Sequence, residues 1–136
     1  MGDPASSTTS VPSTRPASGL AESVAALRED LRPDAVVDAP WRWRMRRHLG
    51  AVRDALVAEG AASQDAALAA RTVRADRSRH PLLRDVGRLA RRLLEDADAE
   101  PLRRDLARLA TDLDHHAQRR RDLAYDEVEM ELGGSE

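Results

Sequence analysis

Asp112-Leu113-Asp114-His115-His116 is the stretch of this chain whose residue types and spacing come nearest to coordination chemistry. Carboxylate-bridged metal sites in helical bundles pair an acid with a histidine three residues on, because positions i and i+3 share a helix face. Asp112 and His115 have that spacing, and Asp112 and His116 stand one residue further apart. Carboxylate and imidazole donors of this kind take iron, zinc or manganese. His48 and His80 lie in other segments, where they can add ligands from a second helix.

To this extent the pattern resembles hemerythrin-like and ferritin-like bundles. The resemblance covers only these residues, and it implies an iron, zinc or manganese site built from Asp112, His115, His116 and His48. Elsewhere the chain departs from both families. Val52 follows His48 by four residues and Arg120 follows His116 by four, so the His-x-x-x-Glu pattern of hemerythrin-like proteins is missing. A second acid-x-x-His pair is also missing. The leading expectation is therefore a chain without a cofactor, with metal binding as the alternative.

Trp41-Arg42-Trp43-Arg44-Met45-Arg46-Arg47-His48 offers a different chemistry. Tryptophans amid arginines can stack on bases and contact phosphates, sit at a lipid headgroup layer, or anchor a protein interface. Trp41 and Met45 continue into Leu49, Val52 and Leu56 at helical spacing, which assigns them to a core. Trp43 lies about 200° around the helix from Trp41 and is the exposed anchor. With Arg44 and Arg47 it makes a basic face suited to a protein partner. No helix-turn-helix, zinc-finger or RNA-recognition pattern accompanies it, so nucleic-acid binding ranks third.

Two further features bear on association. Leu102, Leu106, Leu109 and Leu113 alternate spacings of four and three, and the same register continues through His116, Arg120, Leu123, Glu127 and Met130. That is a coiled-coil-like seam that turns polar halfway, and His116 within it can act as a buried register device. If so, leucine in its place raises thermal stability. The C-terminal run from Tyr125 through Glu127 and Glu129 to Leu132 interleaves acids with apolar groups, and can dock on a basic groove in the same chain or another. Catalysis finds no motif: the chain has no nucleophile elbow, Gly-rich phosphate loop or His-Glu-x-x-His.

The elements that must position these groups are all helices. Residues 1–17 are rich in Ser, Thr and Pro and read as a disordered arm without the basic start and apolar run of a secretory signal, so a cytoplasmic location is expected. A bundle domain is expected over 18–132, followed by a flexible acidic end at 133–136. Ser18 is placed to cap a first helix of Leu20, Val24, Leu27 and Leu31 that Pro33 stops. Asp38 caps a second, with Pro40 in its first turn, and Gly60 is placed to end it. Ser63 then opens a third, which either kinks at Pro81 or restarts there; its second half carries Leu82, Leu83, Val86, Leu89, Leu93 and Leu94. Pro101 opens the fourth. The fold expected is all-α, an up-and-down four-helix bundle.

Composition agrees with that reading. The chain has 136 residues, 41% hydrophobic and 34% charged, and a formal charge of −2. It contains no Cys, which excludes disulfides and thiolate chemistry. It also lacks Lys, Ile, Phe and Asn, so its arginines reflect the GC-rich codons of a bacterial genome before they reflect phosphate binding. Charge is segregated: residues 1–40 carry −3, 41–92 carry +8 and 93–136 carry −7. Antiparallel neighbours can neutralise one another, or the basic middle can face an anionic partner. Alanine supplies much of the apolar count, and the fourth seam outruns its neighbours, so a homodimer that covers its far half is expected. The function expected is a non-enzymatic adaptor, accessory or regulatory subunit that binds a protein partner or itself.

Overall fold

Leu20, Val24 and Leu27 recur at spacings of four and three and wind into α1 (Leu20–Glu29), with all three buried. The computed structural model describes residues 19–65, 69–95 and 98–134, with side chains at 19–62, 77–95 and 98–125. Gly19 occupies the N-cap of α1 without a side-chain hydrogen bond. Ser18 and the expected N-terminal arm lie outside the described residues.

α2 (Ala39–Asp65) starts where its capping residue requires. The Trp41 backbone N–H donates to Asp38 Oδ1 at 2.9 Å, satisfying one of the helix's orphan donors. The expected end at Gly60 is not observed, and the helix passes through Gly60 to Asp65, taking in Ser63. Gly60 serves close approach instead of a C-cap: a Cβ there would stand 3.0 Å from Arg79 Nη1 on the next helix. α3 (Ala69–Leu94) is likewise one helix with Pro81 inside it, so the chain does not restart at the proline. An interior proline removes one backbone hydrogen bond and costs about 3 kcal/mol. Burial of Leu82, Val86, Leu89 and Leu93 on the C-terminal side of Pro81 offsets that cost. α4 (Ala99–Gly134) has 36 residues and continues through Gly133 and Gly134.

Among the described residues there are four helices and no strand. α1 and α3 each pack on both α2 and α4. Arg42, early in α2, donates to the carbonyl of Leu93, late in α3. Glu59, late in α2, meets His116 midway along α4, which also meets Ser78 early in α3. These contacts make chain neighbours antiparallel, an up-and-down four-helix bundle. The 10 residues of α1 span about 15 Å, so α1 covers only the first half of its 27-residue neighbour α2.

The core is built from the expected stripes. Trp41, Met45, Leu49, Val52 and Leu56 of α2 and Leu102, Leu106, Leu109 and Leu113 of α4 join one cluster, and all nine are buried. The Trp41 indole N–H donates to the Asp30 carbonyl at 2.7 Å, so its polar edge is satisfied inside the core. Leu94 departs from the expected stripe and is 63% exposed. The α1–α2 connection is tied down by Arg103, which donates to the carbonyls of Arg32, Pro33 and Ala35 at 2.9, 3.0 and 2.7 Å. No described helix is long and apolar enough to cross a membrane.

Candidate interaction surface

Four arginines at the start of α2 take four separate roles. Arg42 donates to α3's terminal carbonyl region at Leu93. Arg44 lies 3.4 Å from Asp30 Oδ2, which also bonds His48 Nε2 at 2.7 Å. The His48 hydrogen bond is the chief cause that holds the Asp30 carboxyl below its ordinary range; partial desolvation opposes it and Arg44 assists it. Arg47 stacks over the Trp43 ring with its guanidinium carbon 4.9 Å from the ring centre, a cation–π pair one helical turn apart. Trp43 is 55% exposed, as expected of the outward tryptophan. Arg46 turns toward α3.

There it joins a groove of about 800 Å³ between α2 and α3. Leu49, Leu83, Val86 and Ala90 supply apolar lining, and Gly50 and Gly87 open it from opposite helices. A Cβ at either glycine would meet nothing within 4 Å, so neither is there to relieve a clash; their missing side chains widen the channel. Exposed Val57 closes one end. At the other end, Trp43 lies seven residues before Gly50 and Leu94 seven after Gly87, so both continue the groove's helix faces as exposed apolar lips.

The rim carries one sign of charge. Arg46, Arg53, Arg84 and His80 line the groove, and no acid does. Among the described residues, Arg46, Arg53 and Arg84 make no ion pair. Elsewhere some charges are paired across helices: Arg28 bonds Asp114, and Arg92 meets Asp105 at 2.6 Å. The Arg92 hydrogen bond is the main reason the Asp105 carboxyl is held below its ordinary range. A hollow between α3 and α4 has Asp85, Asp105 and Asp112 beside Arg88, Arg92 and Arg108, a balanced lining. The α3–α4 hollow thus brings both signs of charge together, whereas the α2–α3 groove is lined by arginines and a histidine without an acid.

A polar layer closes the core below the groove. His116 is fully buried, with Nε2 2.5 Å from Glu59 Oε2 and Nδ1 2.6 Å from Ser78 Oγ. An ionised carboxylate only accepts, so Nε2–H donates to Glu59. Arg79 and Arg120 approach the same carboxylate oxygen at 3.5 and 3.7 Å. Burial pushes the Glu59 carboxyl up, but the His116 hydrogen bond and the charges of His116, Arg120 and Arg79 outweigh it and hold the group below its ordinary range. Arg79 is almost fully buried, and its guanidinium lies over Gly60.

The four residues of the metal alternative do not come together. His48 bonds Asp30 near the α1–α2 connection, His116 has both ring nitrogens engaged, and Asp112 and His115 are exposed in an open hollow against α3, beside Ser78 and Asp85. Among the described residues, no three His, Cys, Asp or Glu side chains converge as a metal would require. Tyr125 is 71% exposed near the end of the described side chains, and the side chains of Glu127 and Glu129 lie outside them. The sequence pattern singled out Trp43, Arg44 and Arg47 but missed Arg46, Arg53 and Arg84. Their signal was present as positions 46, 50, 53 and 57, which share a helix face, with glycine in the middle of it. Comparisons with protein-family models, with curated proteins and with solved structures find no match to this chain.

Proposed function

We propose that this chain is a non-enzymatic helical interaction protein that receives an acidic amphipathic helix, from a protein partner or from itself, in the α2–α3 groove. The observation that carries this reading is the apolar channel rimmed by Arg46, Arg53, Arg84 and His80, with no acid in its lining. An apolar helix stripe would fill the channel while its acids meet the arginines, the helix-in-groove mode of recognition. Trp43, backed by Arg47, supplies an aromatic anchor at the lip, and such residues dominate interface energetics. Arg44 contributes less directly, because it is engaged with Asp30. An adaptor, accessory or regulatory subunit is the role such a surface serves.

The two other readings have less behind them. A metal-binding bundle needs Asp112, His115, His116 and His48 to converge, and they stand apart. A nucleic-acid binder gains from the arginines and Trp43, but an apolar floor between helices is not a phosphate-tracking surface.

Titration of a fluorescein-labelled acidic amphipathic helical peptide into the full chain tests the proposal. Binding is expected, and Gly87→Leu is expected to abolish it, because leucine fills the channel from a position with open space around it. Arg53→Glu weakens it further than Arg104→Glu on α4. Equal binding by wild type and Gly87→Leu refutes the groove. Binding of single-stranded DNA, with affinity falling steeply with salt, moves the nucleic-acid reading to the front.

A further inference from the structure

We infer that the occupant of the groove is the acidic end of α4 from a second copy of this chain, with two copies exchanging these ends reciprocally. The inference rests on the reading of the groove as a helix-docking site and names its ligand.

Residues 122–132 carry Asp122, Asp126, Glu127, Glu129 and Glu131 and no arginine. Within them Tyr125, Val128 and Leu132 stand at spacings of three and four, which places them on one helix face. An apolar stripe flanked by acids is the complement of an apolar floor flanked by Arg46, Arg53 and Arg84. Length agrees as well. From Arg46 to Val57 the groove follows α2 for about 16 Å, and from Asp122 to Leu132 the helix rises about 15 Å.

The same chain cannot supply this helix to its own groove. α4 is continuous from Ala99 to Gly134 and crosses the Glu59 layer at His116. From that layer α4 runs about 27 Å further, while the described part of α2 runs about 9 Å, from Glu59 to Asp65. The acidic end therefore lies on the side of the layer away from Arg46 and Arg53. An unbroken helix cannot turn back across it. A second copy presents an identical groove and an identical end, so a two-fold pairing uses both twice and closes.

Sedimentation velocity on the full chain and two charge-reversed variants tests this. The groove variant is Arg46→Glu/Arg53→Glu/Arg84→Glu, and the tail variant is Asp126→Lys/Glu127→Lys/Glu129→Lys/Glu131→Lys. The wild type is expected to be a dimer, and each variant alone to self-associate at least about 100-fold more weakly. An equimolar mixture of the two variants is expected to restore a heterodimer, because both contacts regain opposite charges; this also shows that neither variant has simply lost its fold. A wild type that is monomeric at about 100 μM, variants that still dimerise alone, or a mixture that stays monomeric each overturn the inference. The unrelated acidic peptide separates the two claims. If it binds a monomeric wild type in a Gly87-dependent way, the docking groove stands and the second copy is not its occupant; if it does not bind that monomer, both fail.

Discussion

His116→Leu sets the geometry of the polar layer against the register-device expectation from the seam. The imidazole is fully buried and uses both nitrogens, on Glu59 at 2.5 Å and on Ser78 at 2.6 Å. Leucine fills a similar volume but makes neither bond. Loss of a hydrogen bond to a charged group costs about 1.5–3 kcal/mol, and loss of the neutral one about 0.5–1.5 kcal/mol. Replacing imidazole by a buried apolar side chain returns about 1–2 kcal/mol. Glu59 keeps Arg79 and Arg120 nearby, so it is not left without compensation. The net expectation is a loss of about 2 kcal/mol, or a fall in Tm of roughly 6–10 °C for a domain this size. Thermal and urea unfolding followed by circular dichroism at neutral pH measure it. Glu59→Leu alone is also destabilised, and the double variant loses less than the two together, with a coupling of about 1–3 kcal/mol. A His116→Leu protein as stable as wild type or more stable refutes this account and restores the register device.

Three glycine-to-alanine changes separate propensity from packing. Gly50→Ala and Gly87→Ala, each in open space, gain about 0.5–1 kcal/mol of stability, whereas Gly60→Ala gains at least about 0.5 kcal/mol less because its Cβ displaces the buried Arg79 guanidinium; equal Tm changes at all three would contradict the close approach. Asp38→Ala removes the cap on α2 and lowers stability by about 1 kcal/mol, while Asp38→Asn, which keeps an acceptor oxygen, leaves it nearly unchanged in urea melts. Acid destabilises the bundle through Asp30, Glu59 and Asp105, whose folded pKa values are lowered. Their contribution is complete above the ordinary carboxylate range of about 4 and is lost as pH falls through the lowered folded values. Tm is therefore expected to be flat from pH about 7 to 5 and to decline below about 4, less steeply in Glu59→Gln; an acid limb unaltered by that substitution would remove Glu59 from the explanation.

The polar layer shows how far a helical pattern reads and where it stops. The stripe 45, 49, 52, 56 continues by three to Glu59, the stripe 102, 106, 109, 113 continues by three to His116, and 82, 86, 89, 93 extends backward by three to Arg79. Each residue is thus the next step of its own seam. Reading one helix at a time singled out only His116, because a polar residue at a seam position gives no sign of its partner. That Glu59, Arg79 and His116 stand at one level depends on how far each helix is shifted along its neighbours. Packing of whole helix faces sets that shift. Gly60 follows the same logic: a glycine after an apolar stripe resembles a C-cap, and only the Arg79 guanidinium lying over it reveals the other use.

Sequence alone determined the helical class, the core stripes, the cap at Asp38 and the outward placement of Trp43, since these depend on short-range periodicity and local hydrogen bonding. It also displayed the segregation of charge along the chain. Tertiary structure decided which charges meet. It paired Arg44 and His48 with Asp30 and Arg92 with Asp105, separated the four metal candidates, and carried α2 and α3 unbroken through Gly60 and Pro81. It left Arg46, Arg53 and Arg84 around a channel opened by two glycines. Coulomb attraction and burial act through space, over distances that the fold sets and sequence separation does not.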